Sequence, residues 1–205
     1  MTREDRKAIA ALKKDMKKLI KPLLKPYGFK TVGGYVWKIE GDLLFRMVPL
    51  INTPINGDKA VLSVTYGVKP TFVDDLLWDV LGFEENKQAP ASLRVNGAFT
   101  VQSVAFEKQQ YTLNALEVEE FEAHLKDAME HFSQTIAAAG PDGLSWFYGI
   151  EAKKERYWHS EVMRLMLLLH DGKRDEALEY VRQNQLRDFI VDGKSLGEKV
   201  AEYCL

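Results

Sequence analysis

The stretch from Tyr35 to Lys69 limits the fold most, because it alternates with a period of two and is broken only by short, turn-like links. Tyr35, Trp37 and Ile39 alternate with Val36, Lys38 and Glu40, as side chains do on a pleated strand. Gly41-Asp42 tolerates turn backbone angles and interrupts the run. Leu43, Phe45 and Met47 then share one parity, and Leu62, Val64, Tyr66 and Val68 mark the apolar face of a third strand. A parallel return needs a crossover of a dozen or more residues, so links this short force antiparallel neighbours. Pro49 has no N–H for a ladder, which makes that part of the second strand an edge, a bulge or its end. Residues 52–58, with Pro54 and Asn56-Gly57, read as a loop.

A meander with one greasier face has to be covered, and helical patterns flank it. Ile9, Leu12, Met16, Leu19 and Leu23 step by three or four, so the opening segment is an amphipathic helix. Its opposite face carries Lys7, Lys14, Lys17, Lys18, Lys21 and Lys25. Pro22 predicts a kink or a new turn, and Lys25, preceding Pro26, is pushed out of helical angles. Gly33-Gly34 reads as a flexible lead into the first strand. Beyond the meander, Thr71 reads as an N-cap, with Asp74 and Asp75 in the first turn of a largely buried helix that Gly82 ends. Residues 84–90 form a polar loop. Asn96-Gly97, between Leu93-Arg94-Val95 and Phe99-Thr100-Val101, is the strongest hairpin signal in the chain. Residues 102–107 prolong its second arm, and 109–114 read as a connection.

From Glu117 the pattern becomes helical. Val118, Phe121, Leu125, Phe132 and Ile136 mark a long helix ending near Gly140, while residues 144–150 carry no assignment. Trp158, Val162, Leu165, Met166 and Leu169 form another helix, stopped at Asp171-Gly172, with Ala177, Leu178, Val181 and Leu186 on its partner. The Gly172-to-Ala177 spacing looks like the turn of a tetratricopeptide pair, but one copy is only a helical hairpin. Ser195 with Glu198 is a capping-box pattern for a final short helix. The expected class is α+β: an antiparallel sheet of about five strands, packed by the N-terminal and middle helices and followed by a helical C-terminal region. The expected division is an α+β domain over 1–115 and a helical region over 116–205 packed on it.

Chemistry is sparsely marked. There is no Gly-rich phosphate loop, nucleophile elbow or paired-cysteine pattern, so no catalytic residue, cofactor or metal ligand is assigned. Cys204 stands alone, which excludes an intramolecular disulfide and fits a reducing compartment. No apolar run has membrane-spanning length and the charged N-terminus lacks a signal-type apolar core, so the expectation is a cytoplasmic protein without a membrane partner. Glu120, His124, Asp127 and His131 are spaced as one helical stripe opposite the apolar one, and are expected to face water without holding a tight metal. His159 and His170 read as structural, and Trp37, Phe45, Tyr66 and Trp78 as core. Lys38 and Arg46 are the polar candidates for a cleft between sheet and helices, or for the exposed side of an edge strand.

Charge is unevenly placed. Residues 1–30 hold ten Lys or Arg against three Asp or Glu, while the whole chain has a formal charge of −2. The patch Lys7, Lys14, Lys18, Lys21 and Lys25 therefore suits an anionic partner, or is the solvated face of an ordinary helix. It lacks the interleaved aromatics and arginines that favour base stacking and bidentate phosphate contacts.

The run Leu23-Leu24-Lys25-Pro26-Tyr27-Gly28-Phe29-Lys30, the aromatic strands, Thr65-Tyr66-Gly67-Val68 and the segment Ser92 to Thr100 resemble a bacterial family known as domain of unknown function 4304, over about residues 12–107. The resemblance implies a bacterial cytoplasmic protein and carries over no catalytic residue. Proteins of this kind include immunity proteins that neutralise a toxin by binding it. The functional expectation is a non-enzymatic protein-binding module, possible toxin neutralisation included. The alternative is a nucleic-acid-associated protein using the lysine face.

Overall fold

The computed structural model describes residues 2–53, 59–153, 158–184 and 190–205. The expected loop residues Pro54, Asn56 and Gly57, the helical position Leu186 and the side chains of Trp158 and His159 lie outside what is described. The chain opens with α1, Arg3–Leu23, fixed at its start by a reciprocal capping box. Thr2 Oγ1 accepts the Asp5 N–H at 3.1 Å and the Asp5 carboxylate accepts the Thr2 N–H at 2.6 Å. Pro22 is tolerated inside the last turn of α1, and a 3₁₀ turn, Lys25–Tyr27, follows it.

Five strands come next, β1 (Lys30–Val32), β2 (Tyr35–Glu40), β3 (Leu43–Asn52), β4 (Ala60–Pro70) and, later in the chain, β5 (Val104–Leu113). They form one antiparallel sheet in the order β1-β2-β3-β4-β5, so the expected fold class holds. Gly33-Gly34 is not a loose lead. Val32 pairs with Tyr35 across it, and both glycines have positive φ, 57° and 91°, as a tight two-residue hairpin requires. Gly41-Asp42 closes the next hairpin between paired Glu40 and Leu43. Pro49 lies on β3 beyond the last pair with β2, Val36↔Met47, where its missing N–H interrupts no bond to that strand.

The remaining helices are α2 (Phe72–Leu81), α3 (Leu93–Asn96), α4 (Val118–Ala139), α5 (Gly143–Glu151), α6 (Trp158–His170), α7 (Arg174–Asn184) and α8 (Leu196–Tyr203). Gly82 ends α2 with φ 81°, and Ser195 with Glu198 caps α8 reciprocally. Thr71 precedes α2 with a backbone already helical, φ −70° and ψ −32°, and makes no side-chain cap.

The Asn96-Gly97 hairpin does not form. Residues 93–96 are a single helical turn, and Gly97 has φ −70°, whereas the tight turn needs positive φ at both central positions. Gly97 is needed for closeness instead: its N–H donates to Leu93 O at 2.7 Å, and a Cβ there would collide with Leu93. The fifth strand, Val104–Leu113, takes in residues up to 107 that were expected as the second arm of that hairpin and runs on through 109–113, expected to be a connection.

The chain falls into two compact units that do not follow a cut at residue 115. The first comprises Met1–Val68 with Ala105–Trp146, and the second Lys69–Val104 with Phe147–Leu205. In the first, α4 buries Phe121, Leu125, Met129, Phe132 and Ile136. Phe132 is the hub, 5.4 Å from Tyr66, 6.4 Å from Phe45 and 5.3 Å from Phe29 between ring centroids. The helix α1 packs on α4 through a face that buries Ile9, Leu12 and Ile20. Each such burial stabilises by roughly 1.5–3 kcal/mol. In the second unit, α2 buries Val73, Leu77, Trp78 and Leu81 and packs against α6 and α8.

Candidate functional site

The lysine patch survives folding as a patch. Ile9, Leu12 and Ile20 turn α1 inward, so Lys7, Lys14, Lys18 and Lys21, with Lys25 in the turn beyond, are all exposed on the opposite face. Their spacings of seven, four, three and four keep them within one stripe, roughly 27 Å long at 1.5 Å per residue. Lys18 meets Asp15 at 3.1 Å, a solvent-exposed pair worth little. No aromatic residue lies in α1.

The polar stripe of α4 is only in part the water-facing one expected: Asp127 is exposed, while Glu120, His124 and His131 are half-buried. It lies along β5. Glu107 carboxylate oxygens are 2.9 Å from His131 Nε2, and Glu107 also accepts from Gln109 Nε2 at 3.1 Å. Tyr66 donates its hydroxyl proton to Gln109 Oε1 at 2.7 Å. The Tyr111 hydroxyl lies 2.7 Å from the same oxygen and 2.8 Å from Asp127 Oδ2, with one proton to give. His124 stacks on Tyr111 with centroids 5.0 Å apart. Burial pushes both phenols above their ordinary range; the Tyr111 phenol raises that of Tyr66 further, and Asp127 raises that of Tyr111. Glu120 closes the seam by accepting the N–H groups of Asn114, Ala115 and Leu116 at 2.7, 2.9 and 3.1 Å. Burial raises the Glu120 carboxyl, but those three donors outweigh it and hold the group below its ordinary value.

A slip in the strand makes this possible. Phe106 lies 6.2 Å from Tyr66 and 5.5 Å from Trp146, while its neighbour Glu107 reaches His131, so consecutive side chains of β5 point to one side. This change of phase along β5 aims Glu107 into the seam. Glu107, Gln109, Tyr111, Glu120, Asp127 and His131 are all bonded within the protein, which makes the seam a structural network. Among the described residues no group of three or more His, Cys, Asp or Glu is placed to hold a metal ion.

The second unit contains a charge cluster that sequence reasoning did not assemble, although Asp74 and Asp75 were placed in the first turn of α2. Lys69 and Asp74 are 1% and 0% exposed and 2.8 Å apart. Lys69 also donates to Val101 O at 2.6 Å, and the Val101 N–H donates to Asp74 at 2.8 Å. Burial pushes the Asp74 carboxyl up, and Lys69, Val101 and Arg94 pull it back. Arg94 donates to Thr71 O at 2.8 Å and to Asp75 at 2.6 Å, and its guanidinium lies 4.7 Å over Trp78. Trp78 in turn donates to Phe99 O at 2.8 Å. These bonds hold the segment that was expected to be a hairpin. The one sequence signal was Lys69 at the apolar end of a strand, five residues before an aspartate.

A cleft of about 530 Å³ opens beside the Gly41-Asp42 turn and the end of α4, lined among others by Lys38, Glu40, Asp42, Ser133 and Asp142. Lys38 does line it, paired with Glu40 at 2.6 Å. Arg46 does not; it belongs to the opposite face of the sheet. No helix among the described residues is long and apolar enough to cross a membrane. Compared with known protein families, curated proteins and solved structures, the chain matches none.

Proposed function

We propose that this chain is a non-catalytic protein-binding module that docks an acidic partner protein on the lysine face of α1. One observation carries the reading: Lys7, Lys14, Lys18, Lys21 and Lys25 present a continuous exposed cationic stripe, whereas the ionisable groups of the α4–β5 seam and of the Lys69–Asp74 cluster are engaged within the fold. Ammonium groups on flexible stems meet scattered carboxylates well and lack the planar fork that reads phosphate or base edges. The absence of aromatic residues from α1 also removes the stacking that single-stranded nucleic acid uses. A bacterial cytoplasmic setting, and a toxin as the partner to be covered, are what the family resemblance adds.

The test is fluorescence anisotropy with a labelled poly-glutamate peptide and, separately, single- and double-stranded oligonucleotides across a salt series. The expected result is salt-sensitive binding of the peptide that disappears in the Lys14→Glu, Lys18→Glu, Lys21→Glu variant, with no appreciable oligonucleotide binding near 0.15 M ionic strength. Micromolar oligonucleotide binding, falling linearly with salt on a log–log plot and lost in the same variant, would instead establish nucleic-acid association.

A further inference from the structure

The lysine stripe of α1 has a shape as well as a charge, and the shape bears on the form of the acidic partner. At 3.6 residues per turn each residue advances by about 100°, so Lys7, Ala11, Lys14, Lys18 and Lys21 fall within about 40° of one line parallel to the helix axis. The line runs for about 21 Å at 1.5 Å per residue. Ile9, Leu12 and Ile20 are buried on the other side and fix the helix in the fold, so the row is set before a partner arrives. All five residues are exposed, and between Lys7 and Lys21 no carboxylate lies on the line. Asp15 stands beside it and meets Lys18 at 3.1 Å. A partner therefore has to bring its own carboxylates.

Two successive sections of the line differ. Four residues at i, i+3, i+4 and i+7 frame the hole into which a neighbouring helix inserts a side chain. Lys7, Ala10, Ala11 and Lys14 frame the first, and all four are exposed. Its two middle residues carry only methyl groups, so its floor is apolar and leaves room for an entering side chain. Lys14, Lys17, Lys18 and Lys21 frame the second, which has four exposed ammonium groups and no apolar floor. A helix repeats its own side chains at the same three-four spacing, so one of its faces can set an apolar residue over the first hole and carboxylates over the second in a single register. An extended strand repeats about every 6.7 Å on a face and twists away from a straight row.

We propose that the acidic partner docks on α1 as a helix, with one apolar side chain seated on Ala10 and Ala11 and its carboxylates against Lys14, Lys17, Lys18 and Lys21. The inference rests on the reading of α1 as the docking face for an acidic protein, and it names the form that this partner takes.

The test is fluorescence anisotropy of the full chain with three labelled peptides at about 0.15 M ionic strength. The first is an alanine-rich peptide of roughly 20 residues, long enough to be helical, with glutamates at three-four spacing around one leucine on a single face. In the second, of equal length and charge, two central alanines are replaced by proline, which breaks the helix. The third is poly-glutamate. The helical peptide should bind about tenfold more tightly than the proline peptide, the worth of one buried leucine. Ala10→Gln with Ala11→Gln keeps the charge and the helical preference while filling the first hole, and should remove that difference without weakening poly-glutamate binding. Equal binding of the helical and proline peptides, or a difference that the double variant leaves intact, overturns the proposal and leaves the docking face standing. Failure of all three peptides to bind removes the docking face itself, and the proposal with it.

Discussion

Two helices of the first unit, α1 and α4, each carry a polar stripe opposite a buried one, and the stripes have opposite fates. That of α1 stands in water with five lysines and one weak exposed pair. That of α4 is tied to β5 by Glu107 and Tyr111, with Glu120 holding the chain that leads from the strand to the helix. Helical periodicity determines which side chains share a stripe, but a stripe becomes structural only when a further element lies along it. The chemistry differs accordingly. A solvated ammonium keeps its charge for a partner, whereas a half-buried carboxylate, phenol or imidazole spends its hydrogen bonds inside the fold.

The Lys69–Asp74 pair sets the upper bound of this contrast, since it is fully buried. Replacing Asp74 by Ala leaves the Lys69 ammonium buried without its carboxylate, and should destabilise by about 3–5 kcal/mol in urea denaturation. A loss under 1 kcal/mol would mean that the pair is not buried as described. Within the α4–β5 seam, Tyr66→Phe removes one donor from a buried network and should cost about 1 kcal/mol with packing preserved. A neutral outcome there would place the stripe of α4 in the same class as that of α1.

Glu120 gives the comparison a pH axis. Its folded carboxyl is held below the ordinary value, so the unfolded chain binds the proton first as pH falls. Its contribution is therefore fully present at neutral pH and is lost as pH falls through the carboxylate range to the folded value. Glu120→Gln should cost about 1 kcal/mol at pH 7, the scale of a lost cap, and the difference from the parent chain should shrink in acid. A difference that grows on acidification would reverse the assignment. The smallest effect belongs to α1: Lys14→Glu, Lys18→Glu and Lys21→Glu together should change stability by no more than about 0.5 kcal/mol per site while abolishing binding to the acidic peptide. A large loss of stability would show that the stripe is part of the fold and not a docking face.

Much of this was legible in the chain. The period of two from Tyr35 onward, the apolar steps of α1 and α4, Gly82 after α2 and the Ser195/Glu198 box are local signals, each acting over a few residues through backbone geometry or a cap. The same locality misleads at Asn96-Gly97, where turn-forming residues sit among apolar ones but Trp78, Arg94 and the Lys69–Asp74 pair hold the segment as a helical turn and loop. By itself the sequence determined the α+β class and the exposed lysine stripe, because both follow from which residues recur at which period. Tertiary structure alone decided that the fifth strand runs on through residues 109–113, that Glu107 turns toward His131, and that Trp37 stands between Lys30 and Arg46. Those outcomes depend on partners distant in sequence or on strand register, and a register shift of one residue sends every side chain of a strand to the other face.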